Sequence, residues 1–219
     1  MSLSKDFVKF ALDEGVLKFG DFLTKSGRNS PYFFNAGLFN NGESLYKLAN
    51  FYADALIDSG IEFDMIFGPA YKGIPLAAST AIALSQKLSK TIPFCFNRKE
   101  AKDHGEGGSL VGAPLSGNVI IIDDVITAGT SVKESVDIIQ ASYAKPVGVL
   151  IALDRMERSG YDSNFSVNSS VERVQQVYGF PVVSIANLND IMDVISESDE
   201  FKKYEEAVQA YRKQYGITQ

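Results

Sequence analysis

The spacing of apolar residues divides the chain into alternating helical and extended segments. Phe7, Phe10 and Ala11 share one face of a helix predicted over residues 4–14, with Gly15 as its stop. Residues 16–40 break that period. Rich in Phe, Tyr, Gly and Asn, they predict short strands and turns forming an N-terminal hood, approximately 1–40. Leu45, Leu48, Ala49, Tyr52, Ala53, Leu56 and Ile57 then recur at the i, i+3, i+4, i+7 spacing of an amphipathic helix. Apolar runs follow at 63–67, 92–96, 119–122, 147–153 and 182–185, each bounded by Gly, Pro, Asp or Asn. Helical patterns lie between them at 74–88, 131–144 and, more weakly, 170–178, and two more close the chain near 188–196 and 200–215.

Strand and helix alternating in this way predict an α/β fold, a mainly parallel twisted sheet flanked by helices, with the hood as a small addition. The chain shows no internal repeat, low-complexity tract or linker, so one domain over 1–219 is expected. In such sheets ligands bind beyond the carboxyl ends of the strands. Chemistry should therefore sit in 68–73, 97–108, 123–131 and 154–158.

Composition narrows the function classes. With 219 residues and 45% apolar side chains, the chain can bury a full core. It has no run of about eighteen apolar residues, and its N-terminus carries acids where a signal peptide has an apolar block. No membrane partner is expected. The one cysteine, Cys95, sits in an apolar run and reads as a buried core thiol, which fits a cytoplasmic protein. The net charge of −6 argues against a nucleic-acid partner. An anionic ligand would have to be met by positive charge concentrated locally.

The stretch from Val119 to Ser131 is the most informative. An apolar strand runs into Asp123 and Asp124, and a Thr/Gly/Thr/Ser turn then opens a helix. Backbone N–H groups at a helix start point at an anion, the dipole favours it, and hydroxyls add donors. Gly129 permits close backbone approach. The acids suit ribose hydroxyls, which can donate to carboxylates, and also a nearby Mg²⁺. Two acids after a strand, alone, are more often a solvated strand end, but the whole pattern is not. Neither a Walker A loop nor a G-x-G-x-x-G motif is present.

Local positive charge is found where it is needed. Arg98, Lys99, Lys102 and His104 fall within seven residues, and Gly105, Gly107 and Gly108 predict a mobile strip over 97–112 that can close over a polyanion. A solvated basic loop is the plain alternative. His104 is the sole histidine, so no multi-histidine metal site can form.

The run from Ile121 to Thr130 resembles the phosphoribosyl-pyrophosphate (PRPP) signature of type I phosphoribosyltransferases. Three further segments, Ser26 to Asn35, Phe67 to Pro75 and Phe96 to Gly108, resemble orotate phosphoribosyltransferase in order and spacing across roughly 7–215. The resemblance implies transfer of ribose 5-phosphate from PRPP to orotate in pyrimidine (UMP) biosynthesis, with Mg²⁺ held mainly by substrate near Asp123 and Asp124. It implies a homodimer whose 97–112 loop enters the neighbour's site. For PRPP it implies Tyr71, Lys72, Arg98, Lys99, Lys102, His104, Asp123 and Asp124, with Val125, Ile126, Thr127, Ala128, Gly129, Thr130 and Ser131 around the phosphate. Lys102, His104, Asp123 and Asp124 would be catalytic, and either Lys102 or His104 could protonate the leaving group. For orotate it implies Lys25, Phe33, Phe34, Thr127 and Arg155. Adjacent phenylalanines are by themselves more often core, and Arg155 has a structural Asp154–Arg155 pair as its rival reading. Asn29 and Met156 stand where more polar residues are expected, and 159–169 follows no pattern of the family. A salvage enzyme for another base and a non-catalytic nucleotide-sensing regulator share this fold. The first gives no reason for Lys25 and Arg155 to converge, and the second should carry a basic face that the sequence lacks.

Overall fold

The computed structural model describes residues 2–24, 27–102, 108–159 and 167–217, the side chains of Ala101 and Lys102 excepted. The chain begins with α1 (Leu3–Asp13), whose Ser2 cap accepts the Lys5 N–H. β1 (Leu17–Leu23) and β2 (Asn29–Phe34) pair antiparallel as the small hood sheet. α2 (Gly42–Ser59) follows, then β3 (Met65–Gly68), α3 (Gly73–Leu88), β4 (Phe94–Lys102) and β5 (Gly108–Gly112). β6 (Asn118–Asp123), α4 (Thr130–Ala141), β7 (Lys145–Asp154), α5 (Ser170–Tyr178), β8 (Val182–Asn187), α6 (Leu188–Glu197) and α7 (Glu205–Tyr215) complete it.

The main sheet has the order β5-β4-β3-β6-β7-β8. All neighbours are parallel except the β4–β5 edge pair. Helices cover both faces, so its central strands are apolar throughout rather than alternating with polar residues. On β6, Ile120 and Ile122 pack into the core beneath α2, α3 and α6, while Val119 and Ile121 pack into the one beneath α4 and α5. Period-two alternation thus feeds two cores from one strand. Cys95 is buried in the second, as its apolar context predicts.

The predicted elements are present, with three informative differences. β4 continues through the basic residues to Lys102 and pairs with β5, Asn97 opposite Leu110 and Lys102 opposite Gly108. A stretch read as loop thus has paired strands at both flanks, because an edge strand needs only its backbone to join a sheet. The helix predicted over 131–144 ends at Ala141, and Tyr143 beyond it is left-handed (φ 58°) and fully exposed. The closing helix is divided into a 3-10 turn at Lys202–Tyr204 and α7.

Candidate active site

β3 and β6 lie side by side, so the turns that leave them meet at one edge of the sheet. The turn after β3 is unusually close. A Cβ on Gly68 would lie 2.1 Å from the Gly73 carbonyl oxygen, and one on Gly73 would lie 2.6 Å from Pro69 Cδ. Glycine at both ends lets α3 start directly over the strand and carries Lys72 across to β6. There Lys72 Nζ donates to Asp124 Oδ2 at 2.6 Å. The lysine remains half exposed while Asp124 is buried, so the acid is fixed and the ammonium stays within reach of a ligand.

Asp123 is held from three sides. Its Oδ1 accepts the Asp124 N–H at 2.9 Å, its Oδ2 accepts the Ser131 hydroxyl at 2.9 Å, and its carbonyl accepts the buried Tyr52 phenol at 2.8 Å. Burial, followed by the negative charge of Asp124, pushes its carboxyl up to about 6, which the hydrogen bonds from Asp124 N–H and Ser131 only partly offset. Desolvation first, then the two acids, likewise raises the Tyr52 phenol well above its ordinary value.

The turn from Thr127 to Thr130 opens α4. Gly129 is left-handed (φ 75°), as a tight strand-to-helix turn requires, and no side chain caps this helix start. Thr127, Ala128 and Thr130 are exposed, while Val125 and Ile126 turn into opposite cores. The result is a rim of outward-facing backbone and hydroxyl groups beside two buried acids, an arrangement suited to an anion attached to a polyol.

Across the turn, Tyr71 is exposed and Lys99 Nζ lies 5.5 Å from its ring centre, with Arg98 half-buried next to it. In the hood, the two phenylalanines part company. Phe33 is 41% exposed and stacks on Phe22, whereas Phe34 packs inward against Phe7. Arg155, at the end of β7, makes no pair with Asp154, whose Oδ1 accepts the Met156 N–H instead. Arg155 Nη2 lies 2.6 Å from Glu157 Oε1 and its guanidinium carbon 5.2 Å from the Tyr32 ring centre. Burial opposes its charge, but Tyr32 and Glu157 outweigh that and raise its pKa. Lys25, His104 and the Lys102 side chain lie outside the described residues. Met156 is buried in the core and Asn29 is exposed at the start of β2, so neither departure sits among the acids.

Three contacts escaped sequence reasoning. Asn97 Oδ1 accepts the Ala70 N–H at 2.9 Å and so holds the Lys72 turn. The Ser170 hydroxyl donates to the Thr127 carbonyl, bracing the α4 turn from α5. Tyr52 supports Asp123 from the apolar face of α2. Only for Tyr52 was there a signal: a phenol among Leu and Ala must find a buried acceptor.

A phosphoribosyl transferase domain model matches residues 37–183. An orotate phosphoribosyltransferase from Bordetella bronchiseptica is 64% identical over 99% of this chain and 98% of its own length. One from Pseudomonas aeruginosa is 58% identical over 97% and 98%. The crystal structure of orotate phosphoribosyltransferase from Francisella tularensis superposes with a TM-score of 0.85 at 41% identity, covering 96% of this chain and 99% of that one. With the acid pair, the lysine turn and the α4 start in place, these likenesses agree with the fold and motifs: the chain belongs to the orotate phosphoribosyltransferase family.

Proposed function

We propose that this protein transfers ribose 5-phosphate from PRPP to a ring nitrogen of orotate, forming orotidine 5′-phosphate and pyrophosphate in pyrimidine biosynthesis. The observation that carries the reading is the meeting of Lys72 with the Asp123–Asp124 pair beside the uncapped start of α4. That start, with Thr127, Thr130 and Ser131, anchors the 5′-phosphate. Asp123 and Asp124 hold the ribose hydroxyls. As the C1–O bond breaks, its electron pair leaves with pyrophosphate and positive charge develops on the ribose ring next to the two acids. The orotate nitrogen gives up its proton and supplies the pair that forms the C1–N bond, the released proton balancing the charge on the leaving pyrophosphate. Lys72, Arg98 and Lys99 take up the charge of the departing pyrophosphate, and Lys102 and His104 belong to the same basic strip. Such a reaction depends on positioning and electrostatics more than on proton transfer.

The donor set fits magnesium. Asp123 and Asp124 offer hard oxygen ligands, and among the described residues no cluster of three acids, His or Cys could enclose a metal ion. Magnesium keeps waters and phosphate oxygens as ligands, so here the substrate would hold it, with the two acids nearby, and it would neutralise charge on the pyrophosphate. On the base side, Arg155 meets the orotate carboxylate and Phe33 offers a flat surface, with Lys25 and Thr127 completing the set. The protein acts as a cytoplasmic homodimer, one subunit's 97–112 arm reaching the neighbour's site. The family resemblance supports the homodimer and its shared arm, and a single buried thiol fits a reducing compartment. Mixing the protein with PRPP, Mg²⁺ and single bases while following pyrophosphate release tests the reading. Release with orotate alone is expected; release with uracil or a purine instead would refute the substrate.

A further inference from the structure

Glu157 is three positions past the end of β7, and donors from three parts of the fold converge on its carboxylate. Oε1 lies 2.6 Å from Arg155 Nη2 and accepts the Tyr211 hydroxyl at 3.0 Å. Oε2 accepts from Arg28 Nη1 at 3.3 Å. One acid therefore joins the hood just before β2, the end of β7 and α7. Its backbone is fixed as well, because Glu157 bridges Gly216 and the Arg158 N–H donates to the Tyr215 carbonyl at 2.8 Å.

Its two guanidinium partners are mostly buried, with relative exposures of 9% for Arg28 and 19% for Arg155, so two cations share one carboxylate away from bulk water. Nor does Glu157 exhaust Arg155. The Nη2 contact is ionic without hydrogen-bond alignment, and Arg155 Nε and Nη2 are buried without a hydrogen-bond partner. Burying a donor without a partner is costly, and a guanidinium fork matches a planar carboxylate in bidentate fashion. The acid thus fixes where the arginine stands, while the side chain keeps 19% of its surface open to a ligand.

We propose that Glu157 is the positioning residue of the base site: it holds Arg155 in place so that the exposed part of its guanidinium group meets a substrate carboxylate, and it ties that arginine to the hood and to α7. The proposal rests on the reading of Arg155 as the carboxylate contact. A glutamine cannot replace it, since three donors aim at this carboxylate and an amide would turn its own donors toward some of them.

Steady-state kinetics of Glu157→Gln, Arg155→Ala, their combination and Tyr211→Phe test it. Glu157→Gln should raise the orotate KM about tenfold while kcat and the PRPP KM stay within about twofold. Added to Arg155→Ala, it should change the orotate KM less than about twofold, because its effect passes through that arginine. A merely structural role would lose as much in either background. Tyr211→Phe, which removes one hydroxyl from Oε1 and no charge, should raise the orotate KM a few-fold and keeps the test open if Glu157→Gln fails to fold. An unchanged or lower orotate KM in Glu157→Gln, an unchanged one in Tyr211→Phe, or an additive loss in the double variant would overturn the proposal. Arg155→Ala with unchanged orotate KM would instead overturn the reading of the base site; a raised KM there with none in Glu157→Gln overturns this proposal alone.

Discussion

Lys72 donates to Asp124 across 2.6 Å although 52 positions separate them in the chain. The contact follows from β3 and β6 being neighbours and from the short turn that Gly68 and Gly73 allow. Half-exposed ion pairs add little to stability. Its value is positional: the lysine is kept at the mouth of the site, next to an acid that cannot move.

Replacing both acids, Asp123→Asn with Asp124→Asn, should leave a folded protein whose kcat is lower by about two orders of magnitude or more. The substitutions keep the volume and most hydrogen-bonding capacity while removing charge that faces the developing ribosyl cation. PRPP binding, measured by calorimetry, should weaken much less than turnover. Near-normal turnover in the double variant would remove the acids from the mechanism.

The burial of Asp123 sets a pH dependence of stability with a definite sign. Its carboxyl titrates near 6 in the folded protein against an ordinary value of 3.8, so the native state binds the proton more tightly than the unfolded chain. Stability is therefore full below about pH 4 from this group and falls as pH rises toward 6, by up to about 3 kcal/mol. Urea unfolding of metal-free Asp123→Asn should show that slope flattened between pH 4 and 6. An identical slope in the variant would mean that another group carries it.

What was legible in the sequence was local. Val119 to Ser131 declares itself because strand, acids and helix start are contiguous, and the run of alternating elements orders the parallel sheet. Contacts that close over distance were not. Nothing near Asn97 announces that Ala70, 27 positions earlier, needs an acceptor, and nothing near Ser170 announces Thr127, 43 positions away. The β4 extension was hidden because Arg98, Lys99 and Glu100 show no alternation of apolar side chains. In the sequence Glu157 is one more charge after a strand. Its role emerges only when α7 and the hood are packed against it.

Subunit sharing can be tested by complementation. If the arm that carries Lys102 completes the neighbour's site, Lys102→Ala and Asp124→Asn should each be nearly inactive alone. Mixed and allowed to exchange subunits, they should recover part of the activity, since each mixed dimer rebuilds one intact site. At equal concentrations about a quarter of wild-type sites would be restored, half of the dimers being mixed with one good site each. No recovery with exchange verified by mass would place the arm in its own subunit's site.

The two adjacent phenylalanines make opposite predictions, because alternation along β2 sends them to opposite faces. Phe34 is partly buried and packs against Phe7 at the edge of the core between hood and α1, so Phe34→Ala should cost about 1–2 kcal/mol of stability through lost apolar contact. Phe33 is 41% exposed, its ring stacked on Phe22, and its loss removes little buried contact. If it is the flat surface for the planar base, Phe33→Ala should raise the orotate KM several-fold while thermal unfolding shifts by only a degree or two, with stacking of an aromatic ring contributing about 1 kcal/mol. Urea denaturation and orotate kinetics on both variants separate the roles. A Phe33→Ala protein with unchanged orotate KM would move the base contact elsewhere in the hood, and a Phe34→Ala protein as stable as wild type would contradict the packing seen around Phe7.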